Sequence, residues 1–292
     1  MSDIDALRCS DAQVEPLPGS AKQESVYVLY EHPFGWSRDI LDGDTFGEEL
    51  TAQLTSFLKK RAGLQLIRFP GRDGRTIERP RLFLVFTEAG VAETMLVDGP
   101  EDILNLDLSG PGRNGAQEVD HPLVLVCTHG KRDVCCAVKG RPVAKALVET
   151  YLNESNELMV WETSHTKGHR FAPSLMLMPW GYSFGRLNEE AASAMVNYAM
   201  AGRYFLPGNR GRGLFSPRGQ VAELAVAAQL VEAGERLEYG QLRADDERVT
   251  HLDGRSWTVT MDKREVDDVV SSCGDKPKTG SVWEAVEVTA ME

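Results

Sequence analysis

The sequence predicts an α/β fold of two tandem β-α-β-β-α units, the second extended by a C-terminal helix and β-hairpin. Three observations predict it. Short runs rich in Val, Leu, Tyr and Phe alternate with longer stretches whose apolar residues recur at helical spacing. The same order of elements recurs on either side of a glycine-rich connector, SGPGRNGAQEVDH. A chain of 292 residues with 42% hydrophobic and 26% charged content is a normal globular mixture with length for two domains.

In chain order, residues 1–16 read as an irregular arm, SVYVLYE as a strand, and DGDTFGEELTAQLTSFLKKRAG as a helix. LQLIRFPGR and RPRLFLVFTEAG are two further strands, and PEDILNL a short helix. The connector closes this unit, giving an expected N-terminal domain over 1–118 and a C-terminal domain over 119–292. The second unit reads as strand HPLVLVC, helix RPVAKALVETYL, strands ELMVWETS and PSLMLMPW, and helix LNEEAASAMVNYAMAGRY. Beyond it, GNRGRGLFSPRG reads as a basic turn and QVAELAVAAQLVEAG as an amphipathic helix. VTHLDGRSWTVTMDK and SVWEAVEVT read as a hairpin against the sheet.

Alignment by element sets YVLYEHPFGW beside LVLVCTHGKRD, and FPGRDGRTIERPRLFLVF beside TSHTKGHRFAPSLMLMP. Internal duplication and a chance recurrence of alternating elements both account for this. Opposite Cys127, His165 and His169 the first half carries no cysteine or paired histidines, so only the second half is expected to hold a site.

The net charge of −12 argues against a nucleic-acid binder, which needs a positive surface to meet phosphates. No apolar run approaches a membrane span, and MSDIDALRCSDAQ lacks the basic start and apolar stretch of a signal peptide, so a soluble cytoplasmic chain is expected. Five cysteines are too few and too clustered for a disulfide framework. Three of them fall in VCTHGKRDVCC, which turns attention to thiol or metal chemistry.

Strand HPLVLV ends at Cys127, and ELMVWET ends just before His165. In a βαβ crossover these strands are parallel and open on the same sheet edge, where α/β folds place their sites. One loop offers Cys127, His129, Cys135 and Cys136, and the other offers His165 and His169. A redox dithiol would show C-x-x-C at a helix start, which is absent. A hydrolase would need a marked nucleophile with a base and an orienting acid, and nothing marks one. Zinc would accept two thiolates and two imidazoles, although the cysteine spacing is longer than a zinc knuckle's. A [2Fe-2S] cluster, with two ligands on each iron, also suits this donor set. Cys127-Thr128-His129 has the form of half a Rieske motif without its C-x-x-H partner, so His129 is expected to donate a hydrogen bond near the sulfurs rather than bind.

CTHGKRDVCC and WETSHTKGHRFAPSLMLMPWGYSFGRL, with RCSDAQVEPLPGSA and NRGRGLFSPRGQVAE more loosely, resemble the sucrase/ferredoxin-like family, whose cluster-bearing part is similar to the thioredoxin-like [2Fe-2S] ferredoxins. The resemblance implies two thioredoxin-like units, the first without cluster ligands. It also implies a [2Fe-2S] cluster with Cys127 and Cys136 on one iron and His165 and His169 on the other, Cys135 being the substitute for Cys136. Zinc on the same residues is the alternative, as a structural or interaction module without a redox role. The resemblance implies an electron carrier or reductase component. The "sucrase" of the family name finds no support, because no motif nominates the two facing carboxylates that a glycosidase needs.

Two thiolates and two neutral imidazoles leave the oxidised core neutral, where four thiolates would leave it dianionic, so a raised reduction potential is expected. Imidazoles with a solvent-facing nitrogen would couple proton uptake to reduction. Lys131, Arg132, Lys139, Lys167 and Arg170 make either ordinary solvated loops or a docking surface for an acidic redox partner, with Arg203, Arg210, Arg212 and Arg218 as candidate extensions. Trp161 and Trp180 are expected to be core residues beside the second loop. An internal degenerate partner makes a monomer the expected state.

Overall fold

The computed structural model describes residues 8–71, 77–152 and 159–291 and has the α/β architecture that the sequence predicts. The first unit contains α1 (Cys9–Ala12), β1 (Val26–Glu31), α2 (Glu48–Leu58), β2 (Gly63–Arg68), β3 (Arg81–Phe86) and β4 (Val91–Leu96), then a 3-10 turn (Pro100–Asn105) and β5 (Gln117–Glu118). The second contains β6 (Leu123–Cys127), α3 (Val134–Tyr151), β7 (Val160–Thr163), β8 (Ser174–Met178), β9 (Tyr182–Gly185), α4 (Glu189–Met200) and β10 (Asn209–Arg212). The extension contains α5 (Pro217–Glu232), β11 (Leu242–Asp245), β12 (Arg248–His251), β13 (Ser256–Val269) and β14 (Lys278–Met291).

Among the described residues ten strands form one sheet in the order β10-β9-β8-β6-β7-β2-β1-β3-β4-β5. In each unit a parallel pair is joined through a helix, and the next strand lies antiparallel on the far side of the first: β1 with β2 and β3, then β6 with β7 and β8. The units meet through equivalent strands. β2 and β7 pair antiparallel, with Ile67 opposite Thr163 and Arg68 opposite Glu162. That arrangement has the self-complementary form of a two-fold interface, here within one chain.

Alternation along the strands explains the layering. Val28 and Tyr30 face the core under α2, while Tyr27 and Leu29 face a second cluster. Val124 and Val126 likewise pack under α3 and α4, while Leu123 and Leu125 join that same second cluster. Phe83 and Val85 of the first unit therefore share a core with Trp161 and Met176 of the second, and the curled sheet packs its two helix-free faces together. Strands buried on both faces read as continuous apolar runs, as RLFLVF and LVLVC do.

Several elements differ from the sequence expectation. β4 and β9 emerge where no strand was expected, because VAETML is half polar and YSFG is short. PEDILN makes only a 3-10 turn. The segment read as a basic turn contains strand β10. α3 begins seven residues before RPVAKALVETYL, because the Asp133 cap starts the helix and the chain continues helical through Pro142. The C-terminal hairpin, β13 with β14, belongs to a separate four-stranded sheet with β11 and β12 instead of joining the large one. Residues 1–7 of the arm, 72–76 of the first-half loop, and Glu157 and Leu158 of ELMVWETS lie outside the described residues. No helix among the described residues is long and apolar enough to cross a membrane.

Candidate metal centre

The register of β6 on β7 places Cys127 opposite Thr163, so both strands end at one sheet edge and hand on directly to the two loops. Asp133 then caps α3, its carboxylate accepting from the Cys135 N–H at 2.9 Å, which fixes Cys135 and Cys136 in the first turn. Gly140 follows one turn after Cys136. A Cβ there would overlap the Cys127 carbonyl oxygen and lie 3.2 Å from its carbon. Glycine thus lets the helix sit directly on the strand end that carries Cys127.

Cys127, Cys136 and His165 offer ligand atoms that all lie within 4.8 Å of one another. Both sulfurs are fully buried. His169 stands beside this set, its ring centroid 4.8 Å from that of His165. The Nδ1 atoms of both His165 and His169 are buried without a hydrogen-bond partner, and Nε2 of His169 lies 2.8 Å from the Ser272 hydroxyl. Unpartnered buried nitrogens beside buried sulfurs are the donor set that a soft or borderline metal takes.

His129 does not share this role. Its Nε2 donates to the Ser37 carbonyl at 2.8 Å, and its Nδ1 accepts from the His165 N–H at 3.3 Å. Both nitrogens are engaged, and burial holds its pKa below the usual value, so the ring is neutral. It positions the His165 backbone.

The thiol chemistry follows from burial and proximity. Cys127 is pushed well down, first by the hydrogen bond from the Cys136 thiol and then by His165 and the His129 N–H, against the upward push of burial. Cys136 is pushed up because its proton is held against Cys127 and because it is buried. Burial, with His165 alongside, holds His169 below its usual value, in the neutral form that ligates metals.

Cys135 faces elsewhere: with Cys9, Cys273 and Asp133 it forms a second compact group, whose ligand atoms also lie within 4.8 Å of one another. Sequence reasoning missed Cys9 and Cys273, since nothing in their spacing signals a contact made only in the tertiary structure. It also missed how the HTKGH loop is held. Arg210 is fully buried, donates to the Lys167 carbonyl at 3.0 Å and to Ser20, and lies 4.8 Å over the Phe171 ring. Arg212, equally buried, donates to the carbonyls of Trp180 and Thr87. Neither extends a surface patch, because both guanidinium groups cap carbonyls inside the fold. Trp161 lies in the shared core against Phe83, and Trp180 stacks on Tyr239.

Of the basic loop residues, Lys139 pairs with Asp11 at 2.5 Å and Arg170 with Glu15, so both are spent on the N-terminal arm. Arg132 and Lys167 instead join Lys22, Arg38, Lys59 and Lys60 around a cleft of about 440 Å³ at the seam between the units. His165 lies in its wall.

The fold and site define a tandem α/β chain with a buried thiol and imidazole pocket of metal-ligating type. The chain belongs to the sucrase/ferredoxin-like family, whose profile matches residues 17–211. It is 30% identical over 89 residues to the Altered inheritance of mitochondria protein 32 of Meyerozyma guilliermondii, a match over 28% of this chain and 30% of that protein's length. Among solved structures it is similar to a serine variant of the thioredoxin-like [2Fe-2S] ferredoxin from Aquifex aeolicus. The identity is 20% and the TM-score 0.24, over 28% of this chain and 88% of the ferredoxin.

Proposed function

We propose that the chain is an electron-transfer protein that holds a [2Fe-2S] cluster on Cys127, Cys136, His165 and His169. The carrying observation is the pair of buried, unpartnered imidazole nitrogens beside two fully buried sulfurs. Left unpaired, each such nitrogen costs about 1–3 kcal/mol, a penalty that a metal bond removes. Cys127, Cys136 and His165 offer atoms within 4.8 Å of one another with His169 beside them, a donor set that suits a cluster or a zinc ion, and membership of the sucrase/ferredoxin-like family favours the cluster.

The cluster would supply one-electron redox chemistry at a potential above that of all-thiolate ferredoxins. The protein's own residues set its access. His165 borders the cleft and is the exposed side of the centre, through which electrons and the coupled proton would pass. Ser272 orients His169, and His129 orients the His165 backbone. The acidic redox partner docks on the cleft cations Arg132 and Lys167, with Lys131 exposed nearby, and the chain acts as a monomer because β2 and β7 already pair within it.

Anaerobic purification from iron-replete cells tests the reading. Coloured protein with about two irons and two sulfides per chain is expected. Iron-free, colourless protein whose zinc is lost in Cys127→Ser would contradict it and favour the zinc reading.

A further inference from the structure

Cys9, Cys135, Cys273 and Asp133 come from three distant parts of the chain: α1, the N-terminus of α3, and the 270–277 link between β13 and β14. The sulfurs form a triangle with edges of 3.6 Å between Cys9 and Cys135, 3.5 Å between Cys9 and Cys273, and 3.1 Å between Cys135 and Cys273. The Asp133 carboxylate caps it, Oδ1 lying 3.1 Å from the Cys273 sulfur and 3.7 Å from that of Cys9.

We propose that these four residues form a second metal site, a mononuclear zinc clamp distinct from the Cys/His centre. Bonds of about 2.3 Å to sulfur and 2.0 Å to oxygen place tetrahedral zinc ligands roughly 3.8 Å apart for sulfur pairs and 3.5 Å for sulfur and oxygen. The observed edges need only a few tenths of an ångström of expansion. A multi-iron core, with each thiolate on its own iron, needs its sulfurs several ångströms further apart. A disulfide would leave one sulfur and the carboxylate over.

The surroundings suit thiolates. Cys9, Cys135 and Asp133 are buried, and Cys135 sits in the first turn of α3, where the helix dipole favours negative charge. Asp133 is already oriented, accepting from the Cys135 and Cys273 N–H groups at 2.9 Å each. With zinc bound, three thiolates and a carboxylate carry the same total charge as a structural site made of four cysteines, and the thiol protons leave to water. The clamp ties both the arm and the C-terminal link to α3. It thereby fixes Ser272, adjacent to Cys273, on His169. The site is independent of which metal the Cys/His centre holds.

The test is metal content of the full chain, purified anaerobically and dialysed against a chelator, for wild type, Cys9→Ser, Cys273→Ser and Cys127→Ser. Wild type is expected to retain about one zinc per chain, as closed structural sites do. Cys9→Ser and Cys273→Ser should each lower the zinc retained at least about tenfold, with the visible absorption present before dialysis, and Cys127→Ser should keep the zinc. Should the serine variants fail to fold, cobalt substituted into a Cys127→Ser/Cys136→Ser chain, which keeps only the thiolates of the clamp, gives the same answer through the intense near-ultraviolet band of a thiolate-bound tetrahedral ion. Zinc-free wild type with freely reactive thiols, an intact mass showing a disulfide, zinc retained in Cys273→Ser, or cobalt without that band would each overturn the proposal.

Discussion

Gly140 is where the fold and the centre meet most tightly, and Gly140→Ala separates their contributions. In an exposed helix interior alanine is favoured over glycine by about 1 kcal/mol. Here the added Cβ would overlap the Cys127 carbonyl oxygen, which is strand backbone and cannot rotate away. Restoring an ordinary contact lifts the helix off β6 by about 1 Å, and overpacking of this kind costs about 1–3 kcal/mol or more. The net expectation is destabilisation of up to about 2 kcal/mol, a melting temperature lower by up to about 6 °C in a chain of this size. The larger effect falls on metal content. Cys136 lies one turn earlier on the same helix, and displacement by more than about 0.5 Å from Cys127 breaks a preorganised ligand pair. Iron per chain and thermal melting are measured beside Arg141→Ala, an exposed control on α3 expected within about 0.5 kcal/mol of wild type. Gly140→Ala protein with full iron content and an unchanged or higher melting temperature would refute the reasoning.

Replacing His169 by cysteine adds one negative charge to the centre, so the cluster should remain but its potential should fall by on the order of 100 mV or more; voltammetry showing an unchanged or raised potential would count against imidazole ligation. Ser272→Ala removes the partner of His169 Nε2 and should speed metal loss to a chelator about 10–100-fold without altering the visible spectrum; a wild-type rate would show that Ser272 does not hold the ring. Glu223 is fully buried against the Tyr182 hydroxyl, and burial pushes its carboxyl up to about 7 from 4.5. Its folded-state pKa exceeds the unfolded one, so the stability it contributes is complete below about pH 4.5 and is lost as pH rises through 7, on the order of 3 kcal/mol in all. Glu223→Gln should flatten that part of the profile in denaturant unfolding at pH 5 and pH 8, and an equally steep profile in the variant would show that the titration lies elsewhere.

How far the site could be read beforehand depended on the range of each contact. That Cys127 and His165 come together was legible because two parallel strands joined by a helix must end on one edge, a purely topological inference. Choosing between Cys135 and Cys136 was not, because it turns on where the helix starts. Gly140 and Pro142 resemble a helix beginning, yet Asp133 caps nine residues before Pro142 and sets which sulfur faces β6. Cys9 and Cys273 stand 264 residues apart and meet only when both chain ends fold onto α3. Arg210 and Arg212 sit in a run of alternating Gly and Arg that signals an exposed turn. The same small residues let the backbone approach closely enough for the guanidinium groups to cap carbonyls inside. The missed strands β4 and β9 share a cause: each takes its identity from pairing with a neighbour, not from its own apolar content.

The central claim is that two sulfurs and two imidazole nitrogens hold an iron-sulfur cluster. Electron-nuclear hyperfine spectroscopy of chemically reduced protein, grown with histidine labelled in its ring nitrogens, measures that directly. Two strongly coupled histidine nitrogens are expected in the wild type, with one lost in His165→Cys and one in His169→Cys. A reduced cluster without strongly coupled histidine nitrogens, or couplings that survive both substitutions, would contradict it.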